Sequence, residues 1–172
     1  MIFKQTGRRA TGILGWLLFV LGLSAQHVSA LTLAELRADP NLTPERFIKH
    51  FADFRFELFR DVRQPENFLA TRSGDCDDFA TLAAVLLREK GYTTRLVAVF
   101  MLDCVHMVCY VKEANGYLDY NCRMQASPLV KCDERLAAIA ASVAGSFRAN
   151  CRSASEFTFQ NRARHFAMTV FR

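Results

Sequence analysis

The sequence predicts an α+β fold in which helices pack on one side of an antiparallel sheet. Apolar residues recur at helical spacing as far as Gly91, and most of the segments after it are rich in β-branched residues or alternate apolar with polar ones. The 172 residues are 51% apolar and 23% charged, which is typical of one globular domain. No internal repeat or linker interrupts them, so residues 31–172 are predicted to form a single domain.

Residues 1–30 have the organisation of a cleaved signal peptide. A basic start precedes an apolar stretch over residues 13–23, which is too short to span a bilayer comfortably, and small residues follow at 28–30. We therefore expect a periplasmic or secreted protein without stable membrane insertion. Removing Lys4, Arg8 and Arg9 lowers the net charge from +5 to +2, which gives no basis for nucleic-acid binding.

Six cysteines are expected to meet an oxidising compartment after export. If Cys76 stays free, five candidates for disulfides remain, and these cannot all pair within one chain. They are Cys104, Cys109, Cys122, Cys132 and Cys151. The connectivity stays open, with a preference for a bridge among the last three.

Two helices are predicted before residue 63. Residues 31–41 suit a short helix or an arm, and Thr43 with Pro44 opens a longer helix as N-cap and first helical residue. The apolar face of this longer helix is interpreted as core and consists of Phe47, Phe51, Phe54, Leu58 and Phe59. Residues 63–73 contain Pro65 and no clear period, so they are predicted to form a surface loop.

A cysteine stands at the predicted start of the next helix. Asp75 is a good N-cap and Asp78 completes a capping box, and helical periodicity continues from Phe79 until Gly91. Cys76 therefore lies in the first turn, where unpaired backbone N–H groups and the helix dipole stabilise a thiolate. The thiolate is the nucleophilic form of cysteine.

After Gly91 the pattern is mainly that of strands. Strands are predicted over residues 93–102, 105–112, 117–121, 156–160 and 165–171, with one helix over 133–144. In the second strand, alternation places His106 on one face and Cys109 on the other. Asn115-Gly116 marks the turn that follows.

Cys76, His106 and Asp119 are predicted to form a nucleophile, base and orienting acid. Cys76 would attack a carbonyl carbon, His106 would transfer protons, and Asp119 would hold the imidazole in the useful tautomer. A two-residue turn at Asn115-Gly116 would separate His106 from Asp119 by ~20 Å. We therefore predict a longer loop or a bulge with Gly116 in the left-handed conformation.

Three segments resemble the transglutaminase-like cysteine enzymes, most closely the bacterial exported transglutaminase-like cysteine proteinases. They are Gly74-Asp75-Cys76-Asp77-Asp78-Phe79-Ala80, His106-Met107-Val108 and Gly116-Tyr117-Leu118-Asp119. The resemblance implies a papain-like fold, a Cys-His-Asp triad and an acyl-enzyme formed from a protein or peptide substrate. Either water or an amine would then receive the acyl group.

The resemblance also implies that no cofactor is required, with calcium as an option. Asp75 and Asp77 match the positions of candidate calcium ligands. The Cys76 backbone N–H is expected to form half of an oxyanion hole. The second hydrogen-bond donor of the oxyanion hole stays open, and the nearest candidates are Gln64, Asn67 and Arg72.

Two other interpretations are kept beside an exported peptidase. Cys104, His106 and Cys109 suggest a metal site, although the two cysteines fall on opposite faces of one strand. The second alternative is a transglutaminase-like module that binds a peptide or cell-wall component without turnover. Rapid labelling of Cys76 that depends on His106 would distinguish an enzyme from this module.

Overall fold

The computed structural model describes residues 31–160 and 163–171, so the predicted signal peptide lies outside the described residues. The helices are α1 (Leu33–Ala38), α2 (Pro44–Lys49), α3 (Pro65–Thr71), α4 (Cys76–Glu89) and α5 (Leu136–Ser146), with a 3-10 turn, η1, at Tyr120–Cys122. The strands are β1 (Arg55–Phe56), β2 (Ser73–Gly74), β3 (Thr94–Met101), β4 (Val105–Val111), β5 (Gly116–Leu118), β6 (Leu129–Lys131), β7 (Cys151–Gln160) and β8 (Ala163–Phe171). Over these ranges, no helix has the length and apolar character needed to cross a membrane.

Six strands form one antiparallel sheet in the order β6-β5-β4-β3-β7-β8. β1 and β2 make a separate short parallel pair. The prediction of an α+β fold with N-terminal helices on an antiparallel sheet is confirmed.

Helices cover both faces of the sheet rather than one. Met107 and Cys109 of β4 pack with α4 and the N-terminal helices, whereas Val108 and Tyr110 pack with α5. Alternate residues of β3 divide in the same way. The expectation that all helices lie on one side is therefore wrong, because β3 and β4 are apolar on both faces and each face needs a cover.

The phenylalanine stripe is core, but only part of it is helical. α2 ends at Lys49, and turns then carry Phe51 and Phe54 into a cluster of rings with Phe47, Phe68 and Phe79. Leu58 is 76% exposed and lies outside this cluster. Turns therefore bury Phe51 and Phe54 beside Phe47, whereas the core interpretation is wrong for Leu58, and Phe59 is only half-buried.

Several other elements differ from the prediction. Residues 65–71 form α3 instead of a loop, because Pro65 occupies the first helical position, where a missing N–H costs nothing. The third strand of the prediction ends at Leu118, and the chain turns into η1 at Tyr120. β6 had no sequence prediction, and β7 begins at Cys151 rather than near Glu156.

The predicted bridge among Cys122, Cys132 and Cys151 is not formed, and no disulfide joins cysteines anywhere in the described ranges. Burial raises the pKa of Cys109 to about 12 and that of Cys122 to about 11. These two thiols are protonated at neutral pH and therefore weakly nucleophilic.

Candidate active site

Cys76 is the first residue of α4 and is 9% exposed. Asp75 caps the helix as predicted, since its Oδ1 accepts hydrogen bonds from the backbone N–H groups of Asp77 at 3.2 Å and Asp78 at 3.4 Å. Asp78 completes the capping box by accepting from the Asp75 N–H at 3.3 Å. The sulfur is thereby held at the positive end of a capped, fourteen-residue helix.

The same two carboxylates fasten the preceding loop to the helix. Asp75 Oδ2 accepts from the Phe59 N–H at 3.1 Å, and Asp78 Oδ1 accepts from the Arg63 N–H at 2.7 Å. Gly74 makes this arrangement possible, because a Cβ there would lie 2.5 Å from the Phe68 ring and 2.6 Å from Asp78. The sequence Gly-Asp-Cys-Asp-Asp thus encodes a tightly packed entry to α4.

One oxygen from each of Asp75, Asp77 and Asp78 lies within 4.8 Å of the others, and all three residues are buried. However, both oxygens of Asp75 and both of Asp78 accept N–H hydrogen bonds. Burial raises the pKa of Asp78, and the charge of Asp75 adds to this effect. The donor set therefore fits a helix cap better than a calcium cage, whose oxygens must face the cation.

Replacing Asp75 with alanine is expected to lower the free energy of unfolding by about 2 kcal/mol, because three backbone N–H groups lose their acceptor. Urea unfolding measures this loss. Asp75→Asn is the matched control, since its Oδ1 can still accept from the helix. A lower melting temperature on adding EDTA to the wild type, absent from Asp75→Ala, would instead support a structural calcium ion.

The side chains of His106 and Asp119 meet near the start of β4, where β5 no longer pairs with this strand. His106 Nε2 lies 2.8 Å from Asp119 Oδ1, and both side chains are buried. The same Asp119 oxygen accepts from the Asn121 N–H at 2.8 Å, so Asp119 also caps η1. This second bond fixes the carboxylate independently of the imidazole.

The β4–β5 connection explains how the two residues meet. Val111 pairs with Gly116, leaving a four-residue loop over 112–115, so the predicted longer loop is confirmed. The left-handed residue is Asn115, with φ of 51°, and not Gly116. Continuing this register would set Asp119 opposite Val108, one diagonal step from His106 and on the same face.

β5 is short, which leaves room for α4 beside β4. It pairs with β4 only from Cys109 to Val111, so the first half of β4 has no strand neighbour on that side. The chain turns away at Asp119, and Tyr120 packs its ring 5.4 Å from that of Phe79 on α4. The helix start and the beginning of β4 are thereby brought together.

The His106 imidazole is hydrogen-bonded to Asp119 and lies close enough to Cys76 for the sulfur to affect its pKa. Since Nε2 faces Asp119, Nδ1 is the nitrogen left for the sulfur. Burial lowers the pKa of His106, but the interactions with Asp119 and Cys76 outweigh it and raise the pKa to about 9. The imidazolium is therefore the favoured form at neutral pH.

Phe147, which the sequence did not single out, lies beside the imidazole. It caps the C-terminal end of α5, and its ring centroid is 4.8 Å from that of His106. The predicted helix ended at Ala144, and nothing local connects residue 147 with a strand about forty positions earlier. The only sequence signal for Phe147 is that an aromatic residue stands two positions after the glycine predicted to end the helix.

Arg72, one of the oxyanion-hole candidates, forms an ion pair with Asp53, and its guanidinium lies 5.2 Å from the centre of the Phe54 ring. The metal site suggested by Cys104, His106 and Cys109 is not assembled. In the described part of the chain, the three aspartates at the start of α4 are the one group placed to share a metal ion.

The α+β core, with its helices and antiparallel sheet, is consistent with a transglutaminase-like fold. The chain matches the family model of the transglutaminase-like superfamily over residues 45–120, a range that includes Cys76, His106 and Asp119 and ends before α5. A search of curated proteins found no significant match. The family match supports cysteine-based chemistry on amide bonds in general.

Proposed function

We propose that this protein is an exported cysteine enzyme that hydrolyses amide bonds of proteins or peptides through an acyl-enzyme. The observation that carries the proposal is the His106 imidazole, which lies 2.8 Å from Asp119 and near the Cys76 sulfur. Acyl transfer requires a nucleophile, a base that carries its proton, and an acid that orients this base.

The first half of the reaction breaks the amide bond. The Cys76 thiolate attacks the carbonyl carbon, a C–S bond forms, and the carbonyl oxygen takes the negative charge. The Cys76 backbone N–H at the helix start is placed to stabilise this oxyanion. The His106 imidazolium then donates its proton to the nitrogen as the C–N bond breaks, and the amine leaves.

The second half regenerates the enzyme. Neutral His106 accepts a proton from water, and the oxygen of that water attacks the acyl carbon. The C–S bond breaks, the acid product leaves, and thiolate and imidazolium are restored. Asp119 orients the ring and stabilises its positive charge in both halves of the reaction.

Acyl transfer to an amine is the alternative outcome, since the two reactions differ only in the group that attacks the acyl-enzyme. Export to the periplasm or beyond is proposed from residues 1–30. The similarity of the motifs to exported bacterial proteinases favours hydrolysis.

Mass spectrometry of protein mixtures incubated with the wild type or with Cys76→Ala tests the proposal. New peptide termini that require Cys76 indicate hydrolysis, and new isopeptide links indicate transfer. If both samples stay unchanged across denatured and folded substrates, the protein is a binding module rather than an enzyme. Circular dichroism of both proteins controls for folding.

A further inference from the structure

A groove of about 460 Å³ opens next to the candidate catalytic histidine. One wall is the turn between β3 and β4, with Leu102 and Asp103, and the other follows the end of α5. The residues used from this second wall are Phe147, Arg148 and Arg152. The Phe147 ring also packs against His106, so the groove and the imidazole share this side chain.

The groove presents apolar and cationic groups to solvent. Leu102 is 71% exposed and Phe147 is 37% exposed, although both are large apolar side chains. Arg148 and Arg152 are exposed, and neither forms an ion pair within residues 31–160 and 163–171. The lining therefore offers an apolar surface next to two unpaired guanidinium groups, with Asp103 across the groove.

The backbone conformation at Arg148 disfavours a residue with a side chain, so the stability of the fold does not explain the arginine. Arg148 has φ of 52° and follows the cap of α5, where the Ala149 N–H bonds the Ala144 carbonyl at 3.0 Å. The end of α4 has the same pattern, with Gly91 in the left-handed position at φ of 89°. Glycine is the favoured residue in this position, so arginine carries a backbone cost that no ion pair of its own offsets.

The proposed chemistry decides which part of a substrate reaches the groove. His106 must protonate the departing amine, so the amine lies at the imidazole and the residues beyond it continue toward Phe147. We propose that this groove binds the amine side of the substrate, with an apolar side chain against Leu102 and Phe147 and a carboxylate between Arg148 and Arg152. This inference rests on the proposed function and assigns a substrate preference to the same site.

Internally quenched peptides that differ only on the amine side of the scissile bond test the preference. The two residues after that bond are Leu-Asp, Leu-Asn or Leu-Lys. We expect kcat/KM to be highest for Leu-Asp, lower for Leu-Asn and lowest for Leu-Lys. We expect the ratio of the aspartate to the lysine peptide to fall about three- to tenfold in Arg148→Gly and in Arg152→Gln. Asp103→Asn should raise the ratio, and Lys49→Gln, at an exposed position of α2, should leave it unchanged.

Arg148→Gly also separates recognition from folding. Glycine suits the left-handed position, so this variant should unfold at the same or a higher urea concentration than the wild type. Peptides cleaved without regard to charge would overturn the groove assignment and leave the proposed function standing.

Absence of cleavage for every peptide would instead contradict the proposed function. The groove is then judged by binding of the labelled Leu-Asp peptide to Cys76→Ala, followed by fluorescence anisotropy. Adding Arg148→Gly in that background should weaken binding about three- to tenfold. Equal binding with and without Arg148 would overturn the inference.

Discussion

Replacing Cys76 with alanine is expected to lower amide-bond turnover by at least ~10³-fold, because the acyl-enzyme cannot form without the sulfur. Alanine is a good helix former, and the Cys76 side chain lies at the edge of the core, so the fold should be kept. Equal far-UV circular dichroism and a urea midpoint close to the wild type would show that only chemistry is lost.

Alkylation by iodoacetamide at neutral pH gives an independent measure of the same group. We expect Cys76 to react faster than exposed Cys104, and much faster than Cys109 and Cys122, whose pKa values are raised by burial. His106→Ala should remove this advantage. Equal rates at Cys76 and Cys104 would favour a binding module over an enzyme.

Replacing Asp119 with alanine is expected to lower kcat by ~10²- to 10⁴-fold, because the imidazole loses both its orientation and its charge partner. It also removes the cap of η1, so some stability is lost with it. Asp119→Asn is the informative control, since its oxygen can still accept from Asn121 and η1 is preserved. A full rate in Asp119→Asn would remove the carboxylate charge from the mechanism.

The pKa of His106 determines the direction in which activity changes with pH. His106 has its pKa raised to about 9 from 6.5, so the imidazolium that donates to the leaving amine persists at neutral pH and is lost as the pH rises through about 9. We expect kcat/KM to fall on that alkaline side. Asp119→Asn should move the fall to lower pH, because a supporting charge is gone; an unchanged alkaline limb would contradict this role.

Stability should follow the same group. Below pH 6.5 the imidazolium contribution is fully present, and it disappears as the pH increases through about 9. Urea unfolding of the wild type at pH 6 and pH 10 should therefore show a loss that is smaller in Asp119→Asn. Since His106 is buried, the effect is not removed by salt screening as a surface ion pair would be.

Local sequence was sufficient for the element that carries the nucleophile. Asp75, Asp78 and Gly91 set both ends of α4 through bonds that span three to five residues, and the periodicity between them defines its buried face. β3 and β4 were predicted within a residue or two for the same reason. At α2 and α3 the boundaries failed because a run of phenylalanines or a proline suits more than one local structure.

The sequence by itself determined that a cysteine begins a capped helix and that a histidine lies on a following strand, with an aspartate directly after the next one. Only the tertiary structure decided that Asp119 contacts His106, that α5 covers the opposite face of the sheet, and that the Phe147 ring packs against His106. The physical reason is the separation along the chain over which each interaction acts. Caps and periodicity act over a few residues, whereas strand register and helix docking depend on how distant apolar faces are buried together.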